Sequence, residues 1–377
     1  MPEFVRAGYR SQLRRDPFEY LTTLRRHATT GMFRFPWGGW CVSDPELANA
    51  LLRGPEFNAG RSGFFGDLLP TRAAQVDVGQ AARDVVREHL PDFRDALALA
   101  VAEFPSTSSW PAAASDLVHR SLADVLLHPG TPAPARRLLH RAVHGGVVFR
   151  APFVWQRMRA ELLREKLIAA VADEAGRRER ATRPADVLDA VLGACPPDLN
   201  DRAVAEVFLV LFRSIVAPVS STLAWSVLLA GLDHRSDAPW PWPSRWIVRE
   251  AMRHRPMVWM VGRTIERPTE FAGEAVSPGD VLSVSPFLLH HDPDRWADAE
   301  VFRPDRWAES GHRGPYVPFG AGPYTCPGSS VALTLMTEML TALTDDARLT
   351  VAGADPRPVM VEGAVPRPFT VLRSPLR

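Results

Sequence analysis

The residue with the clearest chemical potential is Cys326, set in Phe319-Gly-Ala-Gly-Pro-Tyr-Thr-Cys326-Pro-Gly328 just ahead of an apolar helical run. A cysteine at the start of a helix meets the free N–H groups and positive end of that helix, which favour thiolate over thiol. Gly320, Gly322 and Gly328 permit positive φ and let backbone come close to a flat ligand. Pro323 and Pro327 stiffen the loop and remove donors that would otherwise need partners. A buried structural cysteine in a glycine-rich loop has the same composition, so the distinction rests on what stands elsewhere in the chain.

Two upstream patterns bear on it. Trp246-Ile-Val-Arg-Glu250-Ala-Met-Arg253 puts Glu250 and Arg253 one turn apart on a helix that must end by Pro256. Phe302-Arg-Pro-Asp-Arg306-Trp supplies another arginine. Together with these, the F-x-x-G-x-x-x-C-x-G loop resembles the haem-binding signature of the cytochrome P-450 family, with Cys326 at the proximal thiolate position. A thiolate pushes electron density onto iron and favours O–O cleavage.

The resemblance covers essentially the whole chain. It implies a mainly α fold with a small β region, the cytochrome P-450 fold, with residues 1–377 forming one haem domain. The implied cofactor is haem b, with Cys326 as its metal ligand and Phe319, Gly320, Gly322, Gly328 and Ala332 around it. By the same resemblance Glu250, Arg253 and Arg306 form a buried network supporting the haem loop, and Arg263 hydrogen-bonds a propionate. Tyr324 stands where a histidine or arginine is usual; it can donate one hydrogen bond but no charge. Arg83 and Arg87, four apart in Gln80-Ala-Ala-Arg83-Asp-Val-Val-Arg87, are candidates for a further propionate contact. The family's His-x-x-x-Arg is absent there, and alignment on Pro91 and Phe93 puts Ala82 and Val86 in those places.

The informative departure is Ser214-Ile-Val-Ala217-Pro218-Val-Ser-Ser-Thr-Leu-Ala-Trp225, which resembles the helix crossing the distal haem face. Ala217 stands at the position of the usual acid and Pro218 at that of the usual threonine, while Ser214 and Ile215 replace Ala-Gly. An acid–alcohol pair relays protons to iron-bound oxygen. Alanine relays none, and proline lacks both a hydroxyl and an N–H. Proline within a helix also frees the carbonyl four residues back and is expected to kink or open it. Ser220 and Ser221, within a turn, can hold water in place of the pair. The peroxygenase branch of the family also carries this proline, preceded by an arginine. Here that position is Ala217, with Arg213 one turn earlier.

These groups need positioning elements. Asp16-Pro17 begins a short capped helix, and Met32–Phe35 with Trp40–Val42 flank the turn Pro36-Trp-Gly-Gly39 as a hairpin. Ser43-Asp-Pro-Glu46 reads as a capping box, and residues 60–77 as a loop roofing a pocket. From about 94 to 200 the pattern predicts helices between proline-rich loops, with Arg177–Arg183 a solvated helix end. The segment 233–243 looks too short for the helix most family members have there, which bears on redox-partner docking. Trp259 and Met260, on a strand ahead of Arg263, join Ile215 as candidate substrate contacts. Pro278-Gly-Asp280 is a turn into a strand, and Val365–Val371 a pocket-edge hairpin. His290-His291-Asp292-Pro293 replaces an Asn-Arg-Asp-Pro loop and lacks a third metal ligand nearby.

Composition sets outer bounds. The chain has 377 residues, 46% hydrophobic and 23% charged, with net charge +1, so nothing points to a polyanionic partner such as nucleic acid. Lys166 is its one lysine, and the arginines are interspersed with acids. Cys41, Cys195 and Cys326 match no disulfide framework or zinc spacing. The apolar run Val204–Ala230 is interrupted by Glu206, Arg213 and Pro218 and reads as a buried helix, not a membrane span. The N-terminus carries no anchor-like segment, so a cytoplasmic location is expected.

The expected function is oxidative tailoring of a small specialised metabolite, using O2 and electrons from a ferredoxin and its reductase. The Ala217-Pro218 departure leaves alternatives open. Peroxide can serve as oxidant, the haem can perform a coupling, dehydration or rearrangement without oxygen insertion, or the chain can be a haem-bearing recruitment protein without turnover.

Overall fold

The computed structural model describes residues 12–13, 15–28, 30–58, 63–150, 153–235, 238–308 and 314–376. Helices α1 (Pro17–Arg26) and α2 (Pro45–Arg53) flank a hairpin of β1 (Met32–Arg34) and β2 (Trp40–Val42). A helical run follows: α3 (Arg72–Glu88), α4 (Leu90–Ala102), strand β3 (Thr107–Trp110), α5 (Ala112–Leu126) and α6 (Ala133–His144). It continues with α7 (Val154–Ala175), α8 (Val187–Ala194) and the long α9 (Asp201–Asp233). Then come α10 (Ser244–His254), β4 (Val261–Thr264), β5 (Thr269–Phe271), β6 (Glu274–Val276), β7 (Val281–Val284) and α11 (Pro286–His290). The chain closes with α12 (Ser329–Thr344), β8 (Ala347–Ala352), β9 (Pro358–Met360), β10 (Ala364–Pro366) and β11 (Phe369–Pro375).

Local chemistry explains the N-terminal elements. Asp16 caps α1 by accepting from the N–H groups of Phe18 and Glu19, with Pro17 at the first helical position. Gly38 and Gly39, with φ of 103° and 80°, close the β1–β2 turn, which sets Phe33 opposite Cys41. The cap of α2 differs from the expected box. Asp44 accepts from the Leu47 N–H, whereas the Ser43 hydroxyl donates to the Gly31 carbonyl. The Asx cap at Asp44 leaves Pro45 at the first helical position, where its missing N–H costs nothing.

The sheet that positions the site runs β1-β2-β7-β4, with β2 and β7 parallel and β7 and β4 antiparallel. β4 carries Arg263, so this arginine lies within the strand, while Trp259 and Met260 precede it and pack beside Phe18 and Phe287. The expected Val365–Val371 hairpin is divided. β10 pairs with β9, but β11 leaves to join β3 and β8. The β3 partner falls where sequence patterning shows only helices and loops, because an edge strand of four residues declares itself only through its neighbour.

α9 spans 33 residues and is buried almost throughout from Val204 to Ala230. Helices apolar on all sides sit in the core, and α9 packs against α5, α7, α10 and α12. It is long and apolar enough to cross a bilayer by length and composition, but here its side chains are covered by protein. Arg213, Ser214, Ile215 and Pro218 are half-buried at its middle, a local opening in an otherwise sealed helix. The helix runs through Pro218 without a break, so the expected opening of its hydrogen-bond ladder does not end the helix. Two further expectations change. Residues 72–77 belong to α3 and not to the preceding loop. Arg178 is no solvated helix end: it is held by Glu174, Asp186 and Asp189, with Asp186 fully buried.

Candidate haem-thiolate site

The Cys326 loop is shaped by its own backbone. Gly320 and Gly322 adopt φ of 71° and 70°, and the Cys326 N–H donates to the Phe319 carbonyl at 3.0 Å. A Cβ on Gly322 would fall 2.2 Å from the Leu52 carbonyl oxygen, so glycine is needed twice over at this contact with α2. Three residues after Cys326 α12 begins, and the Ala332 N–H donates to the Gly328 carbonyl. Cys326 is the exposed cysteine of the three; Cys41 and Cys195 are buried. Its thiol departs from the thiolate-favouring expectation. Desolvation by surrounding protein pushes the pKa up, and the Gly328 N–H pulls it down by less. A metal bound here would supply the deprotonation, since a coordinating thiol loses its proton outright.

Behind the loop lies the Glu250 network. The Glu250 carboxylate, fully buried, accepts from Arg253 at 2.8 Å, Arg306 Nε at 3.1 Å, the Arg303 N–H at 3.0 Å and Trp307 Nε1 at 3.0 Å. Arg253 spends its remaining donors on the carbonyls of His290, Ala299 and Val301. His290 sits between the Arg253 carbonyl and the Val317 N–H, 2.9 Å from its Nε2. That bond ties the network to a residue two before Phe319. The dipeptide His290-His291 thus serves the support network, and no metal-holding group of three ligands occurs among the described residues.

A second cluster lies on the other side of the loop. Arg263 Nε donates to Asn58 Oδ1 at 2.7 Å, and Arg72 Nη1 donates to the Asn58 carbonyl at 2.8 Å. The two guanidinium groups stand over the Tyr324 ring, 4.8 and 4.4 Å from its centroid, and the Tyr324 hydroxyl donates to the Asn58 carbonyl. Burial lowers the Arg263 pKa, and the neighbouring Arg72 reinforces that shift. Among the described residues the buried Arg263 Nη2 has no hydrogen-bond partner, a charged donor awaiting an acceptor.

On α9 the serine hydroxyls are committed. Ser220 Oγ donates to the Val216 carbonyl at 2.6 Å, and Ser221 Oγ to the Ala364 carbonyl at 3.2 Å, which also accepts from Trp225 Nε1. Both serines are buried. Ala217 is buried as well, and Arg213 is paired with Glu362 at the β9–β10 turn.

A family model for cytochrome P-450 matches residues 244–368, the stretch holding both the network and the loop. Cyclooctat-9-en-7-ol 5-monooxygenase from Streptomyces melanosporofaciens is 26% identical over 87% of this chain and 84% of its own length. Cyclooctatin synthase from the same organism is 27% identical over 46% of this chain and 44% of its own. A zebra fish cytochrome P-450 structure with progesterone superposes with a TM-score of 0.75 at 20% identity, covering 95% of this chain and 99% of that one. A mutant of P-450 EryK in complex with erythromycin B gives 0.72 at 20% identity, over 96% and 97%. The chain has the cytochrome P-450 fold, and its residues 244–368 match that family's model.

Proteins of the cytochrome P-450 family use haem, and the residues here fit such a group. The orphaned Nη2 of Arg263 is a donor suited to a propionate. Beside Cys326, a Cβ built on Gly328 meets only Sγ, at 3.9 Å, so the loop is open at Gly328, next to the sulfur. Arg83 and Arg87 are not part of this cluster: both are drawn to the carboxylate of Asp84, at 2.8 and 2.9 Å. The arginine of α3 that reaches the loop is Arg72, with Nη2 directed at the Pro323 carbonyl. Arg72 and Asn58 escape sequence reasoning because α3 shows no spacing motif at its first residue; only the fold brings Asn58, Arg72 and Arg263 together.

The buried histidines carry a pH prediction. Burial holds the pKa values of His254 and His290 well below the usual imidazole range. Each also accepts a proton donor, Arg255 Nη1 on His254 Nδ1 and the Val317 N–H on His290 Nε2, so protonation would replace attraction by repulsion. An unfolded chain takes up these protons below roughly pH 6.5, the folded one does not, and stability therefore falls as pH falls. These two residues together remove ~2.7 kcal/mol per pH unit below that point. Urea unfolding between roughly pH 7 and 5 checks this; a midpoint that stays constant would show the pair titrating normally.

Proposed function

We propose that this chain is a cytochrome P-450 monooxygenase that tailors a small specialised metabolite, with haem b ligated by Cys326 and residues 1–377 acting as one haem domain. The observation that carries it is the accessible Cys326 thiol flanked on one side by a fully buried Glu250 network and on the other by an unpartnered Arg263 donor. The likeness to a Streptomyces monooxygenase along most of the chain supports the reaction class and a specialised-metabolite substrate. Electrons come from a ferredoxin and its reductase, in the cytoplasm.

When bound, the haem supplies an iron whose thiolate ligand favours O–O cleavage. Cys326 would hold the metal and Arg263 Nη2 a propionate, with Arg72 and Tyr324 at the edge of the same cluster. Glu250, Arg253 and Arg306 keep the loop in place. Ala217, Pro218 and the committed hydroxyls of Ser220 and Ser221 deliver no proton. Pro218 has no N–H to give the Ser214 carbonyl, which is thereby open to a water or a substrate hydroxyl at the accessible part of α9. Proton supply thus comes from solvent or substrate held there, with Ile215, Trp259 and Met260 as substrate contacts.

The deciding experiment feeds purified holoprotein with extracts of the producing pathway, with either labelled O2, NADPH, ferredoxin and reductase, or hydrogen peroxide alone. One labelled oxygen in product, dependent on the electron-transfer feed, is expected. Product from peroxide alone, or product without added oxygen, would replace the monooxygenase reading. Arg263→Gln should weaken haem retention ~10–100-fold, the loss of a charge-assisted bond, measured by haem transfer to a scavenging apoprotein. Unchanged retention would remove Arg263 from the propionate role.

A further inference from the structure

Away from the haem site, a cleft of about 480 Å³ opens between α5 and α6, within the size range of small-molecule sites. It is lined by His119, Thr131, Arg136, Arg137, Leu139 and His140 among others, and no residue of the haem site contributes. His119 is only 4% exposed, and its Nδ1 is buried without a hydrogen-bond partner. Its ring lies 5.3 Å from that of His140 and edge-on to Phe212 of α9 at 6.4 Å. Burial and the neighbouring His140 bring the His119 pKa down to about 4, so the ring is neutral and retains one N–H to donate.

The charged side chains that line the cleft are basic, while Asp116 and Asp124 of α5 stand close by. Arg136 is held in place by the Leu127 carbonyl and Asp124. Arg137 is exposed and, among the described residues, makes no ion pair. The remaining wall includes Ala123, Leu127 and Leu139, an apolar surface beside the cationic one. A buried imidazole nitrogen with no partner calls for a hydrogen-bonding group, the unpaired Arg137 calls for an anion, and the aliphatic wall calls for an apolar body.

We propose that this cleft is a second binding site, separate from the haem pocket, for an anionic amphiphile with a phosphate or carboxylate head. Arg137 and His140 take the head at the mouth, His119 donates from below, and the aliphatic wall covers the tail. The His119 ring contact with Phe212 connects the cleft through one side chain to α9, the helix that carries Ala217 and Pro218.

Isothermal titration of the haem-loaded protein with octyl phosphate, octanoate and octanol tests this. Saturable binding of octyl phosphate or octanoate, but not octanol, is expected, and which of the two binds tighter identifies the head. Arg137→Ala, at an exposed position that leaves the fold intact, should weaken that binding ~10–100-fold, as loss of a charge-assisted contact does. His119→Phe, which keeps a ring in the core, should weaken it as well. Equal affinity for octanol, or affinity unchanged in Arg137→Ala, would overturn the proposal, as would absence of binding by both anions.

Discussion

Glu250→Gln should cost the chain about 3–5 kcal/mol and prevent accumulation of haem-loaded protein, although the substitution preserves the size and shape of the side chain. Two guanidiniums depend on this one carboxylate: Arg253 is fully buried and Arg306 is 5% exposed. Arg253 places every N–H it has, on Glu250 and on three backbone carbonyls. Removing the negative charge strands two cations that cannot reach water. The effect must travel further, because His290 links the Arg253 carbonyl to the Val317 N–H and so to the start of the cysteine loop. Urea unfolding of the apoprotein measures the stability loss, and haem content per chain measures the loop. Arg94→Gln, which breaks the exposed Arg94–Glu338 pair, is the control and should stay within ~1 kcal/mol. A Glu250→Gln protein as stable as that control would mean the network is not what holds the loop.

Cys326→Ala should leave the fold intact and abolish haem-thiolate ligation. The residue is exposed and its Sγ has no side-chain partner among the described residues, so little native-state energy resides in the side chain itself. Metal affinity should drop by more than ~100-fold, since loss of a mere outer-shell partner already costs 10–100-fold. Thiol labelling gives a readout independent of turnover. Burial raises the Cys195 pKa to about 11 and raises that of Cys41 further, so neither competes for an alkylating reagent. Native apoprotein should take up label at Cys326, haem-loaded protein should be protected, and Cys326→Ala should take up none. Labelling that is indifferent to haem would exclude Cys326 as the ligand.

Chemistry that depends on residue type over a few positions was legible along the chain. The glycine pattern of the 319–328 loop, Glu250 and Arg253 one turn apart, and the Asp16 and Pro17 helix start are local, and each appears where its pattern predicts. So is the loss of an acid–alcohol pair at Ala217 and Pro218, because a missing hydroxyl is a property of the residue. What required the folded molecule were partnerships across sequence distance and competition for burial. Arg72 meets Asn58 and Tyr324 across the fold, whereas Arg83 and Arg87 pair with Asp84 where they stand. Ser220 and Ser221 lost their freedom to backbone carbonyls, one of them 143 positions away. Cys326 has a raised pKa because desolvation by distant segments outweighs its local N–H environment. Short-range propensity is written in neighbouring residues; which charges find each other, and which groups lose water, is decided only when the chain packs.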